Sequence, residues 1–216
     1  ATNAPEKAVS SAQMCARTVE EKDGKTRIAW RGHPLCGDGF TVTATLTPTP
    51  EKDGWSYEFC YSGNESGLGI RLIEFPVLTV PRTDKTAIFR PNTVGEVFRP
   101  DWNAFPSGKD VSASGANWLT FSCIAALNDG GTSHFLDHRG EARLHTVSFA
   151  VVQGSEPGTL VLCNRYAPPM TDERKTSGAL PYTGVYAPYC GGWYEAAKMH
   201  RELMETQSWF KAAAAR

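Results

Sequence analysis

The feature that most limits the fold of this chain is a strand pattern with a period of two. Phe40, Val42, Ala44 and Leu46 alternate with β-branched threonines, which places these four side chains on one face of an extended segment. The segment 55–61 alternates in the same way, with an aromatic residue at every second position. Similar segments recur roughly every 8–12 residues with turn signals between them, which is typical of a β-sandwich or barrel.

Eight strands and their connections follow from this pattern. The predicted strands are 26–30, 40–46, 55–61, 70–80, 117–127, 133–137, 144–152 and 159–166. Asp53-Gly54 and Asn128-Asp129-Gly130-Gly131 are strong turn signals. His138-Arg139-Gly140-Glu141 predicts another turn, and the Pro-, Gly- and aromatic-containing stretch 90–114 predicts one long ordered loop. Because strands do not alternate with helices, the pattern does not favour a parallel α/β sheet.

The last part of the chain has a helical pattern instead. Glu195 lies in the first turn, where its charge complements the helix dipole. We predict an amphipathic helix from Gly192 to about Lys211, with the Trp209-Phe210 pair partly exposed and available for self-association. The residues expected to pack on the sandwich are Trp193, Ala197, His200 and Met204.

The predicted fold class is therefore mostly β, an antiparallel two-sheet sandwich of the super-sandwich type with one C-terminal amphipathic helix. We expect residues 1–25 to be partly loose, residues 26–190 to form the sandwich, and residues 191–211 to form a linker helix packed on it. A chain of 216 residues is long enough to bury its core without a metal or a disulfide.

Charge and composition argue against several kinds of partner. With 22 basic and 23 acidic residues, the chain has a formal net charge of -1 and no field that would attract nucleic acid. No apolar run approaches the ~20 residues that a membrane span requires. The small, polar start Ala1-Thr2-Asn3-Ala4-Pro5 is typical of a chain after signal-peptide cleavage, so we expect a secreted or periplasmic protein.

The six cysteines leave two alternatives open. No two of them form a CxxC pair, so neither a zinc site nor a redox pair is predicted. Cys60, Cys123 and Cys163 lie in strand-like segments and are interpreted as small buried thiols. One or two disulfides, with the pairing undetermined, are the alternative if the protein is exported.

None of the common catalytic or nucleotide-binding motifs occurs in the chain, and we predict no catalytic residue, metal or cofactor. His134 and His138 are four residues apart, but in a strand this spacing separates them by about 13 Å, too far to share a metal ion. His200 lies on the apolar face of the helix and is interpreted as a hydrogen-bonded core histidine.

Two places combine a ring with hydrogen-bonding groups, which is the chemistry that sugar binding needs. In the long loop these residues are Asp101, Trp102 and Asn103, although Trp102 has the alternative role of filling a small core within the loop. At a predicted hairpin tip they are Asp137 and His138, with a solvated turn as the alternative. We name both places as carbohydrate-binding candidates.

Several segments, taken in order, share a pattern with a group of known enzymes. They are Trp55-Ser56-Tyr57-Glu58-Phe59, Ile73-Glu74-Phe75-Pro76-Val77-Leu78, Pro181-Tyr182 and Gly191-Gly192-Trp193-Tyr194-Glu195-Ala196-Ala197-Lys198-Met199-His200-Arg201. This succession resembles the N-terminal galactose-mutarotase-like β-sandwich of large bacterial glycoside hydrolases. In those enzymes a helix of the G-x-W-x-E-A-A-x-x-Y-R type leads from the sandwich to a (β/α)8 barrel. The sequence departs from the pattern at His200, where tyrosine is usual, and at Ser133-His134-Phe135, where Gly-Leu-Tyr is common.

The resemblance implies a carbohydrate context, with the cleaving carboxylates on a barrel and not on this sandwich. The first hypothesis is a non-catalytic domain of a carbohydrate-processing protein that supports a catalytic barrel or binds glycan. The alternative is a stand-alone mutarotase- or epimerase-like enzyme that uses a His and a carboxylate for proton transfer. A second alternative is a surface interaction module without a sugar ligand. The expected partner is accordingly a carbohydrate or a catalytic barrel domain.

Overall fold

The fold is known from a computed structural model, which describes residues 7–49, 53–90, 95–106, 108, 110–114, 123–139, 147–168 and 176–214. The described residues form two antiparallel sheets that face each other, followed by helix near the C-terminus. The predicted fold class, a mostly-β antiparallel sandwich with a C-terminal helix, is confirmed.

The strands of the described part are β1 Ala16–Lys22, β2 Lys25–His33, β3 Gly37–Thr49, β4 Gly54–Ser62, β5 Ile73–Pro81, β6 Ala87–Arg90, β7 Glu96–Phe98, β8 Asp110–Ser114, β9 Cys123–Leu127, β10 Thr132–Arg139, β11 Val147–Gln153, β12 Thr159–Tyr166, β13 Gly178–Ala179 and β14 Thr183–Cys190. The helices are α1 Trp193–Glu205 and α2 Ser208–Ala214, with single 3-10 turns at Ser11–Gln13 and Trp102–Ala104.

The larger sheet of the described residues has ten strands in the order β1-β2-β3-β4-β14-β10-β9-β6-β7, with β13 paired beside β14 on β4. The smaller sheet has four strands in the order β5-β12-β11-β8. Strand β14 therefore lies in the middle of the large sheet although it comes late in the chain. It pairs with β4 on one side and with β10 on the other, and so joins the N-terminal strands to those that follow β5.

Apolar side chains pack on both faces of the large sheet and form two separate cores. The core between the sheets contains Leu136 of β10 and Phe149 of β11, both with no exposed surface. The second core lies on the other face of the large sheet, where Phe135 of β10 packs with Ala196 and Leu203 of α1. Because successive side chains of a strand point to opposite faces, β10 contributes to both cores and is buried along most of its length.

Each of the eight predicted strands overlaps an observed strand, although residues 117–122 and 144–146 lie outside the described part of the chain. Other strands were not predicted. Strand β1 lies within residues 1–25, and the supposed long loop 90–114 contains β7, a 3-10 turn and β8. Strand β14 was missed because Gly184 and Pro188 interrupt its apolar alternation.

The C-terminal helix differs from the prediction in its length and in the position of Trp193. It is broken at Thr206-Gln207, where the Thr206 hydroxyl donates to the carbonyl of Leu203 at 2.7 Å. The prediction that Trp193 packs on the sandwich is wrong, because this first helical residue is 52% exposed beyond the edge of the core. His200 is buried, as expected, and Ala197 and Met204 are partly buried against the second core. No helix in the described part of the chain is long and apolar enough to cross a bilayer.

All six cysteines are free thiols in this structure. Cys123 and Cys163 are buried as predicted, and Cys36 is buried as well. The expectation of burial is wrong for Cys60, which lies on the face of β4 that points away from the core between the sheets.

The close contact between Gly184 and Tyr57 gives a test of the sheet register. The two residues are directly paired on β14 and β4, and a methyl group at Gly184 would overlap the buried Tyr57 ring. We expect Gly184→Ala to lower the free energy of unfolding by about 1–3 kcal/mol through overpacking. Gly131→Ala is the control, because its nearest neighbour would be Asn128 Cβ at an ordinary 3.7 Å. Equal losses in urea unfolding of the two variants would contradict this register.

Candidate functional site

The most deeply buried carboxylate described, Asp137, joins the large sheet to helix α1. It lies on β10 between Cys123 of β9 and Val185 of β14, and it has no exposed surface. One carboxylate oxygen lies 2.9 Å from His200 Nδ1 on α1, and the other accepts a hydrogen bond from the His138 backbone N–H at 2.6 Å. The pair is thus a polar contact within an otherwise apolar interface between sheet and helix.

Burial and hydrogen bonding act in opposite directions on this carboxyl group. Burial raises the pKa of Asp137, and the His200 contact, the His138 N–H and the charge of Arg139 each lower it without cancelling the rise. Since Asp137 is fully covered, a sugar ring cannot reach this His–carboxylate pair while α1 stays docked. The geometry therefore assigns the pair to holding the helix.

His138 points to the opposite face of β10 from Asp137. Its ring lies in the core between the sheets, with ring centroids 5.6 Å from Phe149 and 5.1 Å from Tyr182. Burial, assisted by the charge of His200, lowers the pKa of His138 to about 4. The prediction that Asp137 and His138 share an exposed hairpin tip is wrong, because β10 continues as a strand to Arg139.

The other predicted group, Asp101 to Asn103, forms a 3-10 turn. Trp102 is only 3% exposed and belongs to the core between the sheets, and its indole N–H donates to the Thr86 carbonyl at 3.0 Å. The Arg82 guanidinium covers the ring at 4.8 Å from its centroid. Asp101 accepts from the Asn103 backbone N–H at 3.1 Å, and both residues are exposed. Sugar binding at this turn stays a prediction, with Trp102 itself in an interior position.

A groove that the sequence did not indicate lies beside the first residue of α1. We call it the Trp193 groove. It has a volume of about 1100 Å³ and is lined by the start of β6, the β9–β10 hairpin and the segment that leads into α1. Its lining side chains include the exposed Trp193 ring together with Asp84, Lys85, Arg99 and Asp129.

Hydrogen bonds between distant segments fix the walls of the Trp193 groove. The Asn128 side chain accepts from the Thr86 hydroxyl and donates to the carbonyls of Thr132 at 2.8 Å and Pro81 at 3.2 Å. The Ser133 hydroxyl donates to the Gly191 carbonyl at 2.9 Å. The hairpin is therefore tied to β5, to the start of β6 and to the entrance of α1.

A smaller groove of about 460 Å³ lies on the outer face of the large sheet, where Thr43, Glu58 and Arg139 are among its lining residues. Among the described residues, no three His, Cys, Asp or Glu side chains are grouped so that they could hold a metal ion. Both grooves are concave surfaces on which the described part of the chain offers polar side chains to a ligand.

The Trp193 groove was missed because Trp193 was expected to pack on the sandwich. Helical spacing placed Trp193 on the packed face, whereas the Pro-rich loop left two roles open for Trp102, at the surface or in a small core. The Gly191-Gly192 pair was the available signal. Two glycines directly before a helix add no side chain beside its first residue, and here both line the groove next to Trp193.

Comparison with known proteins supports the fold. No protein-family model matches the chain, and no curated protein matches its sequence. Solved structures of the alpha-N-acetylgalactosaminidase NagBb from Bifidobacterium bifidum share the fold. Its GalNAc complex aligns with a TM-score of 0.64 at 13% identity and covers 90% of this chain and 31% of that chain. Its Gal-NHAc-DNJ complex gives a TM-score of 0.60 at 11% identity, with coverages of 89% and 32%. This chain thus spans about a third of the length of that enzyme.

The Asp137–His200 contact predicts a coupled loss of stability. We expect Asp137→Ala and His200→Ala each to cost about 3 kcal/mol or more, because each leaves a buried polar partner unmatched. In the double variant the losses should fall short of additivity by at least about 1 kcal/mol, measured by urea unfolding. The control is Arg201→Ala on the exposed face of α1, which removes only the pair with Glu205 and should cost about 0.5 kcal/mol at most. Additive losses would contradict the contact.

The lowered pKa of His138 predicts a loss of stability in acid. The unfolded chain binds a proton at His138 near its ordinary value of 6.5, whereas the folded chain does so only near 4. The contribution of His138 to the free energy of unfolding is therefore fully present above about pH 6.5. About 3 kcal/mol of this free energy is lost as the pH falls toward 4.

Replacement of His138 by phenylalanine isolates that contribution. The difference in unfolding free energy between wild type and His138→Phe should change by about 3 kcal/mol between pH 7 and pH 4. Leu160→Val, in the same core, removes volume but no titratable group, so its difference from wild type should be constant with pH. A pH-independent difference for His138→Phe would show that the imidazole is not held neutral.

Proposed function

We propose that this chain is a non-catalytic β-sandwich domain of a carbohydrate-processing protein, where it supports a catalytic domain or binds glycan. The observation that carries the proposal is the unequal coverage in the structural comparison. About nine tenths of this chain aligns with a glycosidase, yet the alignment takes up only about a third of that enzyme. A fold that matches about a third of the enzyme's length corresponds to one domain of that larger protein.

The C-terminal helix supports the scaffolding part of this proposal. It carries the segment that resembles the connection between sandwich and barrel in large bacterial glycoside hydrolases. The Asp137–His200 contact and the apolar core beneath α1 hold that helix on the sheet. A helix held in this way would give a following or neighbouring barrel a defined position. We propose such a barrel as the partner and an exported location for the protein.

The epimerase-like alternative requires a His and a carboxylate that a sugar can touch. Among the described residues, Asp137 and His200 form a His–carboxylate pair, and this pair is buried and closed to a ligand. This observation favours the non-catalytic role over the enzymatic one.

Activity assays of the purified chain separate these functions. We expect it neither to release p-nitrophenol from p-nitrophenyl α-N-acetylgalactosaminide nor to speed the mutarotation of galactose in polarimetry, because both reactions need accessible acid and base groups. The rates should match those with heat-denatured chain. A rate that rises in proportion to the folded chain and persists through a second purification step would overturn the non-catalytic proposal.

A further inference from the structure

We infer that the Trp193 groove binds a neutral saccharide, with the Trp193 indole as the surface on which a sugar ring stacks. This inference deepens the proposed function and rests on it, since it selects glycan binding and assigns it to a site. Three independent features of the groove carry it: an available aromatic face, a balanced set of charged groups and a fixed frame.

The aromatic face is the first feature. Trp193 is 52% exposed and lines the groove, whereas Trp102 is 3% exposed in the core. The Tyr194 ring meets the Trp193 ring edge-on, with centroids 6.0 Å apart and planes at 90°. A large exposed indole that is braced by a neighbouring ring offers an apolar surface for the C–H face of a pyranose.

The charges of the groove indicate the kind of sugar. Asp129 and Asp84, which also pairs with Arg82 at 3.5 Å, supply acceptors, and Lys85 and Arg99 supply donors, so the charges of the four lining side chains sum to zero. Mixed donors and acceptors match hydroxyl groups, which both donate and accept. A sialylated, uronic or sulfated glycan would call for an excess of cations, and these four side chains provide none. The balance therefore favours a neutral saccharide.

The fixed frame is the third feature. Asn128 bonds to the start of β6 and to the end of β5, and Ser133 bonds to Gly191 at the entrance of α1. The Glu195 side chain in turn accepts from the Gly192 backbone N–H at 2.9 Å, which holds the residue just before Trp193. Walls that are already held in place lose little conformational entropy when a ligand binds.

The size and lining of the groove are compatible with a saccharide ligand. Its volume of about 1100 Å³ slightly exceeds the ~300–1,000 Å³ range of ligand sites, so more than one sugar ring fits. Glycines and charged side chains make up much of its lining.

The first experiment is a glycan array of neutral and sialylated oligosaccharides, followed by calorimetric titration of the strongest neutral binder. One stacked indole with a few hydrogen bonds should give a Kd on the order of tens of micromolar to millimolar. Trp193→Ala should weaken binding at least tenfold, and Trp193→Phe, which keeps an aromatic face, should retain part of the affinity. Asp129→Asn should weaken binding several-fold through loss of a charged acceptor.

Lys198→Ala is the control, because Lys198 is exposed on the same helix but does not line the groove, and it should change the Kd less than about threefold. All variants should keep the wild-type melting temperature, since the replaced side chains are exposed.

The inference is overturned if Trp193→Ala binds like wild type, if sialylated glycans alone bind, or if nothing binds at millimolar concentration. It is also overturned if Trp193→Ala impairs association with a catalytic barrel while no glycan binds. None of these outcomes tests the proposed non-catalytic role, which the activity assays test separately.

Discussion

The contact between Asp137 and His200 is the interaction on which the C-terminal part of this structure depends. A carboxyl group with no exposed surface is costly unless its hydrogen bonds are made, and His200 supplies one of the two contacts that hold Asp137 beneath the docked helix. With α1 held in place, Gly191 meets the Ser133 hydroxyl and the first turn of the helix stands beside the β9–β10 hairpin. The Trp193 groove is a product of that placement. The shape of the groove thus depends on the Asp137–His200 contact, in which a different turn of α1 takes part.

Strand β10 makes this arrangement possible because it serves both faces of the large sheet. Leu136 and His138 point into the core between the sheets, and Phe135 and Asp137 point toward the helix. A slip of one residue in the pairing of β10 would exchange these two sets, exposing a titratable ring to the helix and a carboxylate to the sandwich core. The register is therefore over-determined: the apolar pattern, the ring contacts and the Asp137–His200 contact each specify the same alignment.

The elements that could be predicted from the sequence are those encoded locally. The alternation in β3 and β4 and the helical spacing of α1 are properties of short windows, and both appear in the structure. Strand β14 is different, since its central place depends on pairing with β4 and β10, which are distant in sequence. The candidate site was harder for the same reason. Trp102 is enclosed by the Thr86 carbonyl and the Arg82 guanidinium, 16 and 20 residues away, and no local pattern records such partners.

The position of His200 has a consequence for recombining this sandwich with other proteins. Its partner Asp137 lies 63 residues earlier in the chain, so the two halves of the contact belong to different segments. A chimera joined between β14 and α1 would supply a foreign helix to this sheet, and a tyrosine at the position of His200 would set a phenol against the buried carboxylate. A junction placed after Glu205, where the helix already breaks, would transfer both halves together. Sheet and first helix therefore form one exchangeable unit, and relatives are expected to change residues 137 and 200 in concert.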